Sequence, residues 1–171
     1  MTLPWSDPTQ TLDETERWVV RSQWLTARLL WGALMASLAV YVIIANVAGP
    51  DAAAGIETAP GDPWWLVHFP TWLLGAMSPP LLVVAFLIRR GANRPHKFIR
   101  QLTGTYMGTA IISWSICESV GIFGLVTFFM KGEFLWLYVF VGVSAVAQVL
   151  MRPRKREIID EVIRTRPQAS S

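Results

Sequence analysis

Four long apolar blocks alternate with polar segments rich in proline, glycine or charge along the 171-residue chain. The blocks cover about residues 24–47, 67–88, 102–130 and 134–150. A helix needs about 20 apolar residues to cross a bilayer core of about 30 Å, and each block reaches or approaches that length. We therefore predict an all-α integral membrane bundle of four transmembrane helices, forming a single membrane domain over residues 1–171.

Local signals predict where these helices start, stop and bend. Thr11-Leu12-Asp13-Glu14 has the spacing of a capping box, so we expect the first helix to start there. Gly49-Pro50 is a normal helix stop, and Pro79-Pro80 near the middle of the second block predicts a kink. A very short turn at Lys131-Gly132-Glu133 separates the third block from the fourth.

The C-terminal tail has a different pattern. Apolar residues recur at helical spacing among charged ones, at Ile158, Ile159, Val162 and Ile163. This spacing predicts a short amphipathic helix over about residues 157–166, lying on the membrane surface at the cytoplasmic side.

Composition and charge support the membrane interpretation and add an orientation. The chain is 53% hydrophobic and only 16% charged, whereas soluble domains carry about 25% charged residues. Of its fifteen Lys and Arg residues, all except Lys131 lie in the N-terminal segment, in the loop after the second block or in the tail. The positive-inside rule therefore predicts that both termini are cytoplasmic, in a bacterial-type inner membrane.

The basic residues flank the apolar blocks, which makes lipid and not nucleic acid the expected partner despite the net charge of +3. Basic clusters beside membrane helices attract the anionic head groups of the cytoplasmic leaflet. The residues expected to contact those head groups are Arg89, Arg90, Arg94, Lys97, Arg100, Arg152, Arg154, Lys155 and Arg156.

One carboxylate, Glu118, lies about halfway along the third block. Placing an ionisable side chain at a helix centre in a bilayer costs on the order of 2.5–3.5 kcal/mol, so such residues usually have a use. Burial in an apolar medium favours the neutral carboxyl, which can take up and release a proton. We expect Ser115, one turn back, and Ser119, its neighbour, to share this proton through hydrogen bonds.

Small residues in the same block predict close helix packing around Glu118. Gly104 and Gly108 form a small-xxx-small pair, and Gly121 and Gly124 keep the following turns slim. Small side chains let helix backbones approach closely within a membrane.

The segment from Ser115 to Val126 reads SICESVGIFGLV: a carboxylate, a small residue and then an Ile-aromatic-Gly-Leu-Val run. This pattern resembles the C-terminal helix of the c subunit, or proteolipid, of rotary ATPases. The resemblance implies an ion-binding role for Glu118, assisted by Ser119, within a ring of subunits. The resemblance is strong over this segment and weak elsewhere. The corresponding first helix of that family carries a glycine repeat, whereas the second block here has the single glycine Gly75.

Other classes of function receive less support from the sequence. His68 and His96 are predicted on opposite sides of the membrane, so we expect no metal and no cofactor. Enzymatic catalysis needs convergent polar groups, and the polar residues of the blocks are few and scattered, so we do not expect an enzyme. Two hypotheses remain: proton or ion binding at Glu118 in an oligomer or a larger complex, and a structural accessory subunit in which Glu118 bonds a neighbouring helix.

Overall fold

The computed structural model describes residues 12–49, 64–92 and 106–165. These residues form five helices, with no strand among them: α1 Glu14–Ala48, α2 Trp64–Ala92, α3 Tyr106–Lys131, α4 Phe134–Leu150 and α5 Lys155–Thr165. The predicted all-α architecture is confirmed. Helices α1, α2 and α3 are each long and apolar enough to cross a bilayer, which is typical of a membrane protein.

The fourth apolar block is shorter than a full membrane crossing. Helix α4 has 17 residues, which corresponds to about 25 Å at the rise of an α-helix. Helix α4 is long enough to count as a candidate span only together with α5, and the two helices are bent by 47° relative to each other. The chain therefore has three candidate spans, or four if this bent pair counts as one, and the predicted number of four stays a prediction.

The N-cap of helix α1 lies two residues later than the predicted one at Thr11. Asp13 is the N-cap: its carboxylate accepts a hydrogen bond from the Glu14 N–H at 2.7 Å, and Glu16 accepts one from the Asp13 N–H at 3.0 Å. Asp13-x-x-Glu16 repeats the capping-box spacing of the predicted Thr11-x-x-Glu14, and an Asp side chain is an equally good acceptor at this position. The sequence thus held two overlapping caps, and the second one forms.

Helices α3 and α4 form a tight antiparallel hairpin. Gly132 has φ of 71°, a backbone conformation that glycine adopts without steric cost, and its N–H donates to the Phe128 carbonyl at 2.7 Å. This lets the chain reverse between Lys131 and Phe134. At this end of the bundle Phe128, Leu137 and Ala45 are fully buried against one another, so α1 packs beside the hairpin.

Two tryptophans bind the other end of α4. The last carbonyls of a helix have no partner within it and must be satisfied from outside. Trp31 of α1 donates to the Gln148 carbonyl at 3.0 Å, and Trp114 of α3 donates to the Met151 carbonyl at 2.9 Å. These bonds place one end of α4 between α1 and α3, with Trp114 completely buried.

Helix α5 packs against the bundle and not against lipid alone. Ile158 and Ile159 of its apolar face are buried in a cluster with Leu12, Val20 and Tyr106, which belong to the start of α1 and of α3. The helix itself was predicted, but its apolar residues were expected to face the membrane. Protein contact buries that same apolar stripe, and only Ile163 on it remains substantially exposed.

A buried ion pair joins α2 to α5. The Arg89 guanidinium donates to the Glu157 carboxylate at 2.6 Å and to the Tyr106 hydroxyl at 2.7 Å, and it lies over the Tyr106 ring. Arg89 is only 9% exposed, so its charge is directed to Glu157 and not to lipid head groups as expected. Its neighbour Arg90 is exposed, and Arg94, Lys97 and Arg100 lie outside the described residues.

We predict that Arg89→Ala loosens α5, whereas Arg90→Ala leaves it docked. Removing Arg89 leaves the Glu157 carboxylate, which is 16% exposed, without its partner and should destabilise the docked helix by about 1–3 kcal/mol. Hydrogen–deuterium exchange of the α5 backbone, measured in detergent micelles, should rise strongly in Arg89→Ala only. Equal exchange in both variants would show that the apolar contacts of Ile158 and Ile159 hold α5 without the ion pair.

Candidate functional site

The carboxylate of Glu118 forms a polar contact between α1 and α3. Its Oε1 atom accepts a hydrogen bond from the Ser37 hydroxyl at 2.6 Å and another from the Tyr41 hydroxyl at 2.9 Å. Ser37 and Tyr41 are four residues apart on α1, so they lie on one face of that helix, one above the other. Glu118 and both donors are partly buried.

The hydrogen atoms at this contact can be counted. The Ser37 hydroxyl has one hydrogen but two acceptors, because the Leu34 carbonyl lies 2.7 Å from the same oxygen. A carbonyl only accepts, so when Ser37 donates to Leu34 the contact with Glu118 must be bridged by a hydrogen on the carboxyl. When Glu118 is ionised, Ser37 and Tyr41 both donate to it. The Ser37 hydroxyl therefore has two alternative acceptors, the Leu34 carbonyl and the Glu118 carboxyl group.

The serines expected to help Glu118 are placed differently. The Ser119 hydroxyl donates to the Ser115 carbonyl at 2.9 Å, a bond within the helix that satisfies the side chain locally. Ser115 itself is exposed. The hydrogen-bond donors that the structure brings to Glu118 therefore come from α1, and an ion-binding role for Ser115 and Ser119 stays a prediction.

The glycines predicted to serve helix packing fall into three groups. A Cβ atom on Gly121 would overlap the Leu38 side chain of α1, and one on Gly124 would lie 2.8 Å from Phe140 Cβ of α4. Both residues are therefore at close helix contacts, one turn and nearly two turns beyond Glu118. Gly108 is partly buried on the first turns of α3, and Gly104 lies outside the described residues.

The sequence did not predict either of the two hydrogen-bond partners of Glu118, Ser37 and Tyr41. Both are about 80 positions from Glu118 along the chain, so no local spacing links them. A usable signal existed in their i, i+4 spacing near the centre of an otherwise apolar span, which marks a polar stripe that must face another polar group.

The remaining polar side chains of the spans do not join this site. Ser78, Ser113 and Thr127 each donate to a carbonyl four residues back in their own helix. Within residues 12–49, 64–92 and 106–165 no three His, Cys, Asp or Glu residues are grouped to hold a metal ion. His96 lies outside the described residues, as does the side chain of His68.

We predict a graded cost for alanine at three glycines. Gly124→Ala should destabilise the fold by about 1–3 kcal/mol, because the new methyl group meets the backbone of Leu137 and Cβ of Phe140, which cannot turn away. Gly121→Ala should cost less, since the end of the Leu38 side chain can rotate. Gly142→Ala has open space around it and is the control. Unfolding midpoints in mild detergent measure the order, and a Gly142 effect as large as that of Gly124 would contradict it.

Comparison of the chain with protein-family models, with curated proteins and with solved structures finds no match.

Proposed function

We propose that this chain is a small multi-pass membrane protein that binds and releases a proton at Glu118, as part of an oligomer or of a larger membrane complex. The observation that carries the proposal is the contact of Glu118 with Ser37 and Tyr41, at 2.6 and 2.9 Å, inside an apolar helix pair. A carboxylate at this depth is costly to insert and is seldom kept without a role.

The geometry favours a proton over a metal cation. Oxygen–oxygen distances of 2.6 and 2.9 Å are those of groups that share a hydrogen. A hard cation such as Ca²⁺ gathers six to eight oxygens around itself, whereas two hydroxyls converge here on one carboxylate oxygen. Such a set stabilises the two protonation states of one carboxyl.

The resemblance of Ser115–Val126 to the c subunit of rotary ATPases supports the same chemistry, since the glutamate of that helix binds the transported ion. Glu118 is also partly exposed at the edge of the α1–α3 contact. A carboxyl in that position is accessible to a second chain, which would allow proton exchange with another copy or with a different membrane subunit.

The orientation that we propose places both termini, α5 and the basic segments at the cytoplasmic face of a bacterial-type inner membrane. The distribution of Lys and Arg supports this orientation. Arg90, Arg152, Arg154, Lys155 and Arg156 are exposed and are our candidates for contact with anionic head groups.

A hydrophobic carbodiimide, which reacts with protonated carboxyls buried in a membrane, tests the proposal. We expect labelling of the wild type at neutral pH and none in Glu118→Gln, while Glu161→Gln at the aqueous end is labelled normally. A wild type that is not labelled at neutral pH would refute the proposal.

A structural role is the second candidate, and one observation favours it. The two hydrogen bonds of Glu118 join α1 to α3, which α2 separates along the chain. An accessory subunit needs only this contact between α1 and α3, and a glutamine at position 118 can accept the same two hydrogen bonds. Glu118→Gln that keeps both assembly and proton-dependent activity supports the structural role, whereas intact assembly with loss of that activity supports proton binding.

A further inference from the structure

Gln148 of α4 is a buried polar residue that the packing of the bundle does not explain. Its side chain is completely buried, and neither amide atom, Oε1 or Nε2, has a hydrogen-bond partner in the protein. The Trp31 indole donates to the backbone carbonyl of Gln148 and not to its side-chain amide. Buried side-chain amides are nearly always hydrogen-bonded to protein or to ordered water.

The position of Gln148 lies between Glu118 and the end of the bundle that α5 covers. Ser144, one helical turn earlier on α4, donates to the Cys117 carbonyl next to Glu118. Gln148 is therefore about 6 Å from the level of Glu118, given the rise of an α-helix. Trp31, which contacts Gln148, precedes Ser37 by six residues, or about 9 Å on the same scale.

A mostly apolar cavity with a few polar groups opens further along the same contact of α1 with α3. It has a volume of about 300 Å³ and lies between α1, α3 and α5. Its lining includes the carboxylates of Glu16 and Glu161 and the amide of Gln23, beside the apolar Val19 and Met107. Trp31 follows Gln23 by eight residues, so Gln148 lies about 12 Å beyond the cavity and closer to the level of Glu118 than to the cavity.

We propose that the Gln148 amide binds water inside the bundle and that this water passes protons to and from Glu118. The inference rests on the proton-binding role proposed for Glu118. A side-chain amide has donors and an acceptor, so it orders a water molecule on each side. The proton passes from water to water while each water accepts one hydrogen and donates another, and the amide itself loses none.

The charged and titratable groups around this route are few. The cavity end carries Glu16 of α1, Glu161 of α5 and Tyr106 of α3, whose hydroxyl accepts a hydrogen bond from Arg89. The other end carries Glu118 with Tyr41 of α1. On α3, the Cys117 thiol is directed to the Met151 sulfur at 3.8 Å, and α4 presents the uncharged Ser144 and Gln148.

The test starts at a pH alkaline enough to ionise Glu118 and measures how fast it gains a proton after flash release of acid. The signal is the infrared band of the protonated carboxyl, in the full chain in bilayers. Gln148→Met removes the amide and keeps the volume, and it should slow protonation on the order of 100-fold. The pH of half-protonation should stay unchanged. Gln148→Asn keeps an amide and should recover most of the rate.

The outcomes separate this inference from the proposed function. A folded Gln148→Met variant with the wild-type rate overturns the water route and leaves Glu118 as a proton site. A wild type in which no band depends on Glu118 overturns the proposed function itself. If Gln148→Met does not fold, hydrogen–deuterium exchange of the Gln148 side-chain amide is measured in the wild type. Rapid exchange supports bound water, and an amide that keeps its hydrogen atoms without exchange overturns the inference.

Discussion

The structure depends on how one carboxyl is accommodated within apolar helices. Glu118 cannot be paired by α3 alone, because the hydroxyl of Ser119 is bonded to its own helix. It requires donors from outside, and α1 supplies Ser37 and Tyr41 at 2.6 and 2.9 Å. This requirement fixes the register of α1 against α3, since a shift of one residue would turn both donors away from the carboxyl.

The contacts on either side of Glu118 hold that register. Two turns or so toward α5, the indole groups of Trp31 and Trp114 bind the last carbonyls of α4, so the three helices are locked at one level. Toward the hairpin, Gly121 and Gly124 bring the backbone of α3 close to Leu38 and Phe140. Glu118 thus lies between the hydrogen bonds of Trp31 and Trp114 on one side and the close contacts of Gly121 and Gly124 on the other. The carboxyl is therefore accessible only from the outer edge of the α1–α3 contact.

Much of the fold was predictable from the sequence, but the partners of Glu118 were not. Apolar block length and helix punctuation located the helices, with errors such as the cap at Asp13, where two equivalent spacings overlap. The charge in an apolar span identified Glu118. The contacts of Ser37 and Tyr41 with Glu118 were not predicted, because pairing between distant helices depends on tertiary register, which no local pattern records. The docking of α5 and the burial of Arg89 escaped for the same reason: an amphipathic face and a basic residue suit lipid and protein equally well.

The most direct test of this account is the equilibrium infrared spectrum of the protein in bilayers as a function of pH. The account predicts a carbonyl-stretch band of a protonated carboxyl at neutral pH that is missing in Glu118→Gln. In Tyr41→Phe the band should move to higher frequency, because the carboxyl loses a hydrogen bond. Spectra of wild type and Glu118→Gln that coincide at neutral pH and below would contradict the claim that Glu118 holds a proton between α1 and α3.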